Sequence, residues 1–286
     1  MNWIAADLLM FVCSVVVYLA IRQAGRNKLP VHLNNLAWFG TETIGFTLIA
    51  LLTHASFHVT WLQFLLLAAT SVVLSYLPSI TSLKSIALAP NPGYSLVLSK
   101  SYVIFTSFLA VPMFGAKLPA SALLAILLIV GFSMLILIDP KKSHHVKNNA
   151  WVPLALVSFF GWGLLQLTAK YLFIHGVKPI IFLTYLSAMV TVCVLVEMHI
   201  KRYSLRPVLK HKGSFVLIGL AAMGFNFFNF TAVAVAPNVG FVNATNAASI
   251  AAVTVFSIIL FKDEFSWRKL AGVFGVVAGL FTLFLS

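Results

Sequence analysis

Apolar runs of about the length that crosses a hydrocarbon core follow one another along this chain. They are separated by short polar punctuation and can be read at 3–21, 34–53, 61–83, 93–114, 119–138, 150–174, 179–200, 213–232, 239–261 and 267–285. A membrane barrel would alternate apolar and polar residues, whereas these runs are apolar on nearly every face. The pattern predicts an all-α polytopic protein with ten transmembrane helices. No stretch between the runs is long enough to form a soluble domain.

Composition supports that picture. Hydrophobic residues make up 61% of the 286 residues and charged residues 9%, against roughly 25% charged in a soluble domain. A net charge of +13 would point a soluble chain towards nucleic acid. Here the 19 Lys and Arg lie almost entirely between the runs, where they anchor a chain at the headgroup surface. The expected partner is therefore the lipid bilayer, in the plasma (inner) membrane, and not nucleic acid. The first run does not read as a signal peptide, because only Met1 and Asn2 precede it and Arg22, Arg26 and Lys28 follow it. Cys13 and Cys193 lie inside runs, fit no ligand spacing, and read as small apolar residues.

The punctuation repeats. LAPNPGY at 88–94 and VAPNVGF at 235–241 start 147 positions apart, and the match extends beyond the motif. At that offset Phe114 falls on Phe261 and the fifth run overlies the tenth. With one or two residues of slippage Trp3 overlies Trp151, Arg22 overlies Lys170 and Pro30 overlies Pro179. The chain thus reads as two five-helix repeats, 1–147 and 148–286. Five is odd, so the second repeat enters the membrane in the opposite sense, and the repeat is inverted. Inverted repeats are a common build among secondary transporters, whose substrate site lies near the midplane. In the motif itself, Pro90 and Pro237 stop a helix while Gly93 and Gly240 tolerate a sharp turn. It reads as a tight interhelical turn ahead of a ligand site.

The segment LFKDEFSWRKLAGVFGVVAGLFTLF, at 260–284, resembles the drug/metabolite transporter superfamily, in its EamA-like ten-helix branch. Glu264 stands at the family's usual acidic position, while its first-half counterpart, Lys117, departs from the pattern. The resemblance implies a small-molecule carrier with a central cavity lined mainly by the third, fourth, eighth and ninth helices. It also implies termini in the cytoplasm, and here the charges disagree. Loops after odd-numbered helices hold fifteen Lys or Arg, whereas Lys117, Lys170 and Lys178 are the three on the other side. The positive-inside rule then puts both termini outside.

Ionisable groups deep in a membrane are functional candidates because they are costly there. Lys100 and Glu42 stand eight or nine residues into the fourth and second helices, near the midplane at about 1.5 Å per residue. They read either as a structural pair neutralising each other or as groups facing a substrate. Glu42 is the expected carrier if the coupling ion is a proton. Asp7 is close enough to a helix end to reach water, and Lys170 can snorkel.

Neutral polar residues form stripes. Ser95, Ser99, Tyr102 and Thr106 share one face of the fourth helix. Shifted by the repeat, Ser99 and Tyr102 become Asn246 and Ser249, with Asn243 one turn earlier, and Ser79 and Ser82 become Asn226 and Asn229. Any single Ser reads as interhelical glue. Asn positions matched in both halves favour cavity lining, with Trp162 and Gln166 of the sixth helix as further candidates. His144 and His145 lie in a basic loop and read as solvated. No metal-binding, phosphate-cradling or nucleophile motif appears, so neither a metal nor a cofactor is expected.

Three functions remain in view. A secondary transporter of a small polar organic metabolite, an amino acid or similar, would use Lys100 against its carboxylate. An intramembrane enzyme of lipid or phosphate-group transfer would need paired acids or a metal. A non-transporting scaffold would not need matched polar faces. The repeat favours the transporter, which is not an enzyme.

Overall fold

A computed structural model describes residues 2–27, 29–89, 92–138, 149–262 and 266–286. Ten helices among them are long and apolar enough to cross a membrane, and no strand occurs among the described residues. They are α1 (Trp3–Arg26), α2 (Val31–Leu52), α3, α4, α5 (Ala120–Leu137), α6 (Trp151–Ile174), α7 (Pro179–Ile200), α8 (Lys212–Val235), α9 (Val239–Phe261) and α10 (Trp267–Phe284). α3 runs from Trp61–Ala69 through a π-helical segment, Thr70–Tyr76, into Leu77–Leu88. α4 consists of Pro92–Lys100 and Tyr102–Phe114, interrupted at Ser101. A one-turn helix, Arg206–Lys210, precedes α8.

The punctuation residues set the helix limits. Asn2 caps α1, and Thr60 with Gln63 forms a capping box on α3. Pro179 opens α7, and Gly115, at φ 63°, closes α4 in the left-handed region. In the second copy of the repeated motif, Asn238 Oδ1 accepts the Gly240 N–H at 2.8 Å and starts α9. Asn238 Nδ2 donates to the Ser107 and Lys117 carbonyls at 3.2 and 3.3 Å. A Cβ on Gly240 would strike Ser107, so the glycine lets α9 close on α4. The motif is a cap and a close approach. In the first copy, Pro90 and Asn91 lie outside the described residues, as do Glu264, His144 and His145.

The π segment has a local cause. Pro78 has no N–H to give the preceding turn, and its ring crowds the carbonyl four residues back. The ladder widens over Thr70–Tyr76 just before it. The Pro78 carbonyl is recruited by Ser158 Oγ of α6 at 3.0 Å.

The chain packs as two compact units that do not follow the sequence halves. The first holds Met1–Tyr76 and Thr168–Ala234, the second Leu77–Leu167 and Val235–Ser286. In the first, α2 packs on α7 around Leu33, Ala37, Val190 and Val194. Thr43 and Thr191 meet there, hydroxyl to hydroxyl, at 2.9 Å. α2 also meets α8, where Gly219 leaves room for Thr41. In the second, α5 packs along α10, with Gly272, Gly275 and Gly279 receiving Ile136, Phe132 and Ile129. Lipid tails give helices little hydrophobic reason to associate, so small residues that let backbones approach carry such contacts.

Two expectations change. Asp7 does not reach water but is fully buried, because α1 buries the face that carries it together with Ala6 and Met10. Lys170 does not snorkel. Its ammonium turns inward and donates to the Val233 and Ala234 carbonyls at 3.1 and 3.0 Å, capping the end of α8.

Candidate functional site: one polar cluster in each unit

In the first unit the cluster centres on Glu42, which is fully buried. Its Oε1 accepts the Asn226 Nδ2–H of α8 at 2.7 Å. Trp38 stands one turn earlier on α2. Trp38 Nε1 and Glu42 Oε2 are buried and have no hydrogen-bond partner among the described residues. Asn229, on the Asn226 face, is buried with its Oδ1 also unmet. Buried polar atoms left this way are exceptional, because each gives up hydration without return. The cluster is a polar island in an apolar bundle, with acceptor and donor capacity to spare.

In the second unit the cluster spans α4, α6 and α9. Lys100 Nζ lies 5.2 Å from the centre of the Trp162 ring, within cation–π reach. Tyr102 meets the same indole edge-on at 6.5 Å. Asn243 Nδ2 donates to Thr106 Oγ1 at 2.9 Å, and Asn243 Oδ1 and Gln166 Oε1 are buried without partners among the described residues. Asn246 is 5% exposed. Ser99 and Ser249 spend their hydroxyl protons on the Leu96 and Asn246 carbonyls of their own helices, at 3.2 and 2.7 Å. Ser95 pairs with Ser85 at 2.7 Å. The serines of the predicted stripe therefore hold helices, while Asn243 Oδ1 and Gln166 Oε1 keep acceptor capacity.

Beside Lys100 a cavity of about 10 Å³ is lined by Ser101, Ser133 and Ala247 among apolar residues. It has room for about one water. Lys100 and Ala247 are counterparts at the repeat offset, so the two halves meet there through the same position.

The structure brings Glu42 together with Asn226, and Lys100 with Tyr102 and Trp162. Lys100 and Glu42 belong to different units. Trp38 and Ser133 were not among the sequence candidates. The spacing of Trp38, four residues before Glu42, could have flagged it. Ser133 had no signal, lying among apolar neighbours in the most apolar of the helices.

No family model matches the sequence, and no curated protein matches it. The fold is nevertheless one that occurs among solved proteins. One crystal structure, described only as that of a protein, superposes with a TM-score of 0.82 at 12% identity, over 98% of this chain and 96% of that one. At that identity the likeness is one of fold alone.

Proposed function

We propose that this chain is a secondary transporter of a small polar organic metabolite, an amino acid or a similar zwitterion. It would work by alternating access on the ten-helix plan of the EamA-like branch. The observation that carries the reading is how counterpart helices of the two sequence halves meet. Along α5 and α10, Ile136 lies against Gly272, Phe132 against Gly275 and Ile129 against Gly279, so one helix descends as the other rises. The Phe132 carbonyl faces Gly272 and the Ala125 carbonyl faces Gly279. These two contacts exchange when each residue is replaced by its counterpart at the repeat offset.

Antiparallel contact also holds for α2 and α7, where Thr43 meets Thr191 and His32 stacks on Tyr203 just past the end of α7, and for α4 and α9, where Ser107 lies against Gly240 and Lys100 and Ala247 share a cavity. Antiparallel contact between counterparts is what an inverted repeat produces, and that build supports transport. Each unit also holds buried amide or carboxyl atoms without hydrogen-bond partners among the described residues, Glu42 and Asn229 in the first and Gln166 and Asn243 in the second, and this polar capacity supports the reading. In this reading Lys100 takes the substrate carboxylate, and Glu42 carries the proton if one is coupled.

The test is counterflow. Purified protein in liposomes preloaded with unlabelled amino acids, amines or sugars is given the labelled compound outside. Accumulation above protein-free liposomes for an amino acid is the expected result. No exchange across those classes would overturn the proposal, and chemical conversion of the probe would favour the enzyme.

A further inference from the structure

A second site stands at the end of α7, apart from both polar clusters. There the helix closes through Lys201 N–H to the Glu197 carbonyl at 2.9 Å and Tyr203 N–H to the Met198 carbonyl at 2.9 Å. Arg202 sits inside this closure at φ 53°, in the left-handed region. That position at a helix end usually falls to glycine, which has no side chain to strain there. Backbone strain held by a functional side chain is a reason to ask what the side chain does.

Around Arg202 lies an open pocket of about 510 Å³, lined by Leu195, Met198, His199, Tyr203 and Leu205. Tyr203 of its lining and the neighbouring Lys201 are already engaged. Tyr203 stacks on His32 with ring centres 4.1 Å apart. Lys201 is engaged by Glu197, whose other oxygen accepts the Tyr76 hydroxyl at 2.9 Å. The bond to Glu197 raises the Lys201 pKa above its ordinary value, so that ammonium stays charged and already paired. Arg202 and His199 are the polar groups left at the mouth. Below it, Val192, Leu195 and Val196 are 58%, 45% and 51% exposed and form an apolar lane down the outside of α7.

Charge points the same way. The 201–212 stretch carries five Lys or Arg, and no Asp or Glu occurs between Glu197 and Asp263. An acid-free basic segment at the end of a membrane helix attracts anionic lipid.

We propose that this pocket binds the headgroup of an anionic phospholipid. The Arg202 guanidinium would take the phosphate through two N–H donors, and the acyl chains would lie along the Leu195 lane. The basic loop sets the preference for a net negative headgroup over a zwitterionic one.

The experiment is thermal unfolding of the full chain in detergent, titrated with dioleoyl phosphatidylglycerol, dioleoyl phosphatidylcholine or inorganic phosphate. Phosphatidylglycerol should raise the midpoint, and the other two should leave it near its starting value. Arg202→Gly removes the guanidinium while relieving the left-handed strain. It should therefore unfold no earlier than the parent without lipid, yet lose most of the phosphatidylglycerol shift. Lys84→Gln, an exposed cation elsewhere, controls for charge and should keep the shift. Equal stabilisation by both lipids would overturn the proposal, as would an Arg202→Gly protein that responds like Lys84→Gln. Stabilisation by inorganic phosphate alone would assign the pocket to a soluble anion and overturn it as well.

Discussion

An ammonium inside a bilayer helix is costly, and Lys100 meets that cost partly by lying over the Trp162 ring. In the proposed carrier it discriminates substrates by charge. Lys100→Met should weaken an anionic or zwitterionic substrate by about 1.5–3 kcal/mol, the range for hydrogen bonds to charged groups. The fold should survive, since Met fills a similar volume without a buried charge. Isothermal binding beside a melting curve checks both, and unchanged affinity in a folded variant would remove Lys100 from the site. Glu42 calls for a different readout. If protons are coupled, Glu42→Gln should abolish the pH dependence of uptake and leave counterflow exchange intact, while persisting proton coupling would exclude it. Both residues were legible in the sequence because charge within an apolar run is rare. What each one touches was not. The partner of Glu42 is Asn226, six helices away in the chain. Lys170 capped α8 instead of snorkelling because its direction is set by carbonyls that sequence order does not place beside it.

Helix limits were readable to within a few residues, since Pro, Gly, Asn and Thr at the caps act locally. The π segment of α3 and the break of α4 at Ser101 were not read, because they interrupt runs whose hydropathy never changes. Pro78 was the available clue. Pairing of helices was half legible: the small-residue face of α10 is visible in VFGVVAG, but its partner is not. The glycine seam yields a contrast between two positions. A Cβ at Gly275 would land in the Phe132 ring, so Gly275→Ala should force α5 and α10 apart. Overpacking of that kind costs about 1–3 kcal/mol. A Cβ at Gly131, on α5 itself, meets nothing within 4 Å. Gly131→Ala should therefore be tolerated and add up to about 1 kcal/mol from helix propensity. Thermal unfolding of the two variants in the same detergent separates seam from surface, and equal effects would mean that α5 and α10 do not depend on this contact.

The offset of 147 is visible in the sequence, but the two packing units are not, because each takes helices from both sequence halves and its contacts are long-range. Orientation is the property of the whole chain on which charge and resemblance disagree. The five cations of the 201–212 loop, three near Arg22, three in 139–148 and three around Lys262 all follow odd-numbered helices, together with Lys84. The opposite side has Lys117, Lys170 and Lys178. Lys170 is held by the carbonyl end of α8, which reduces the cations free to anchor that side. The retention of positive charge acts over short loops such as these. The 201–212 loop should therefore be cytoplasmic and Ser286 external. Single cysteines at Lys210 and at Ser286, in a background with Cys13 and Cys193 replaced by Ala, test this on intact cells with a membrane-impermeant maleimide. The expected pattern is labelling at 286 and, at 210, labelling only after the membrane is permeabilised. The reverse pattern would mean that the basic loops face outward, against the charge rule, and would restore the cytoplasmic termini that the family resemblance implies.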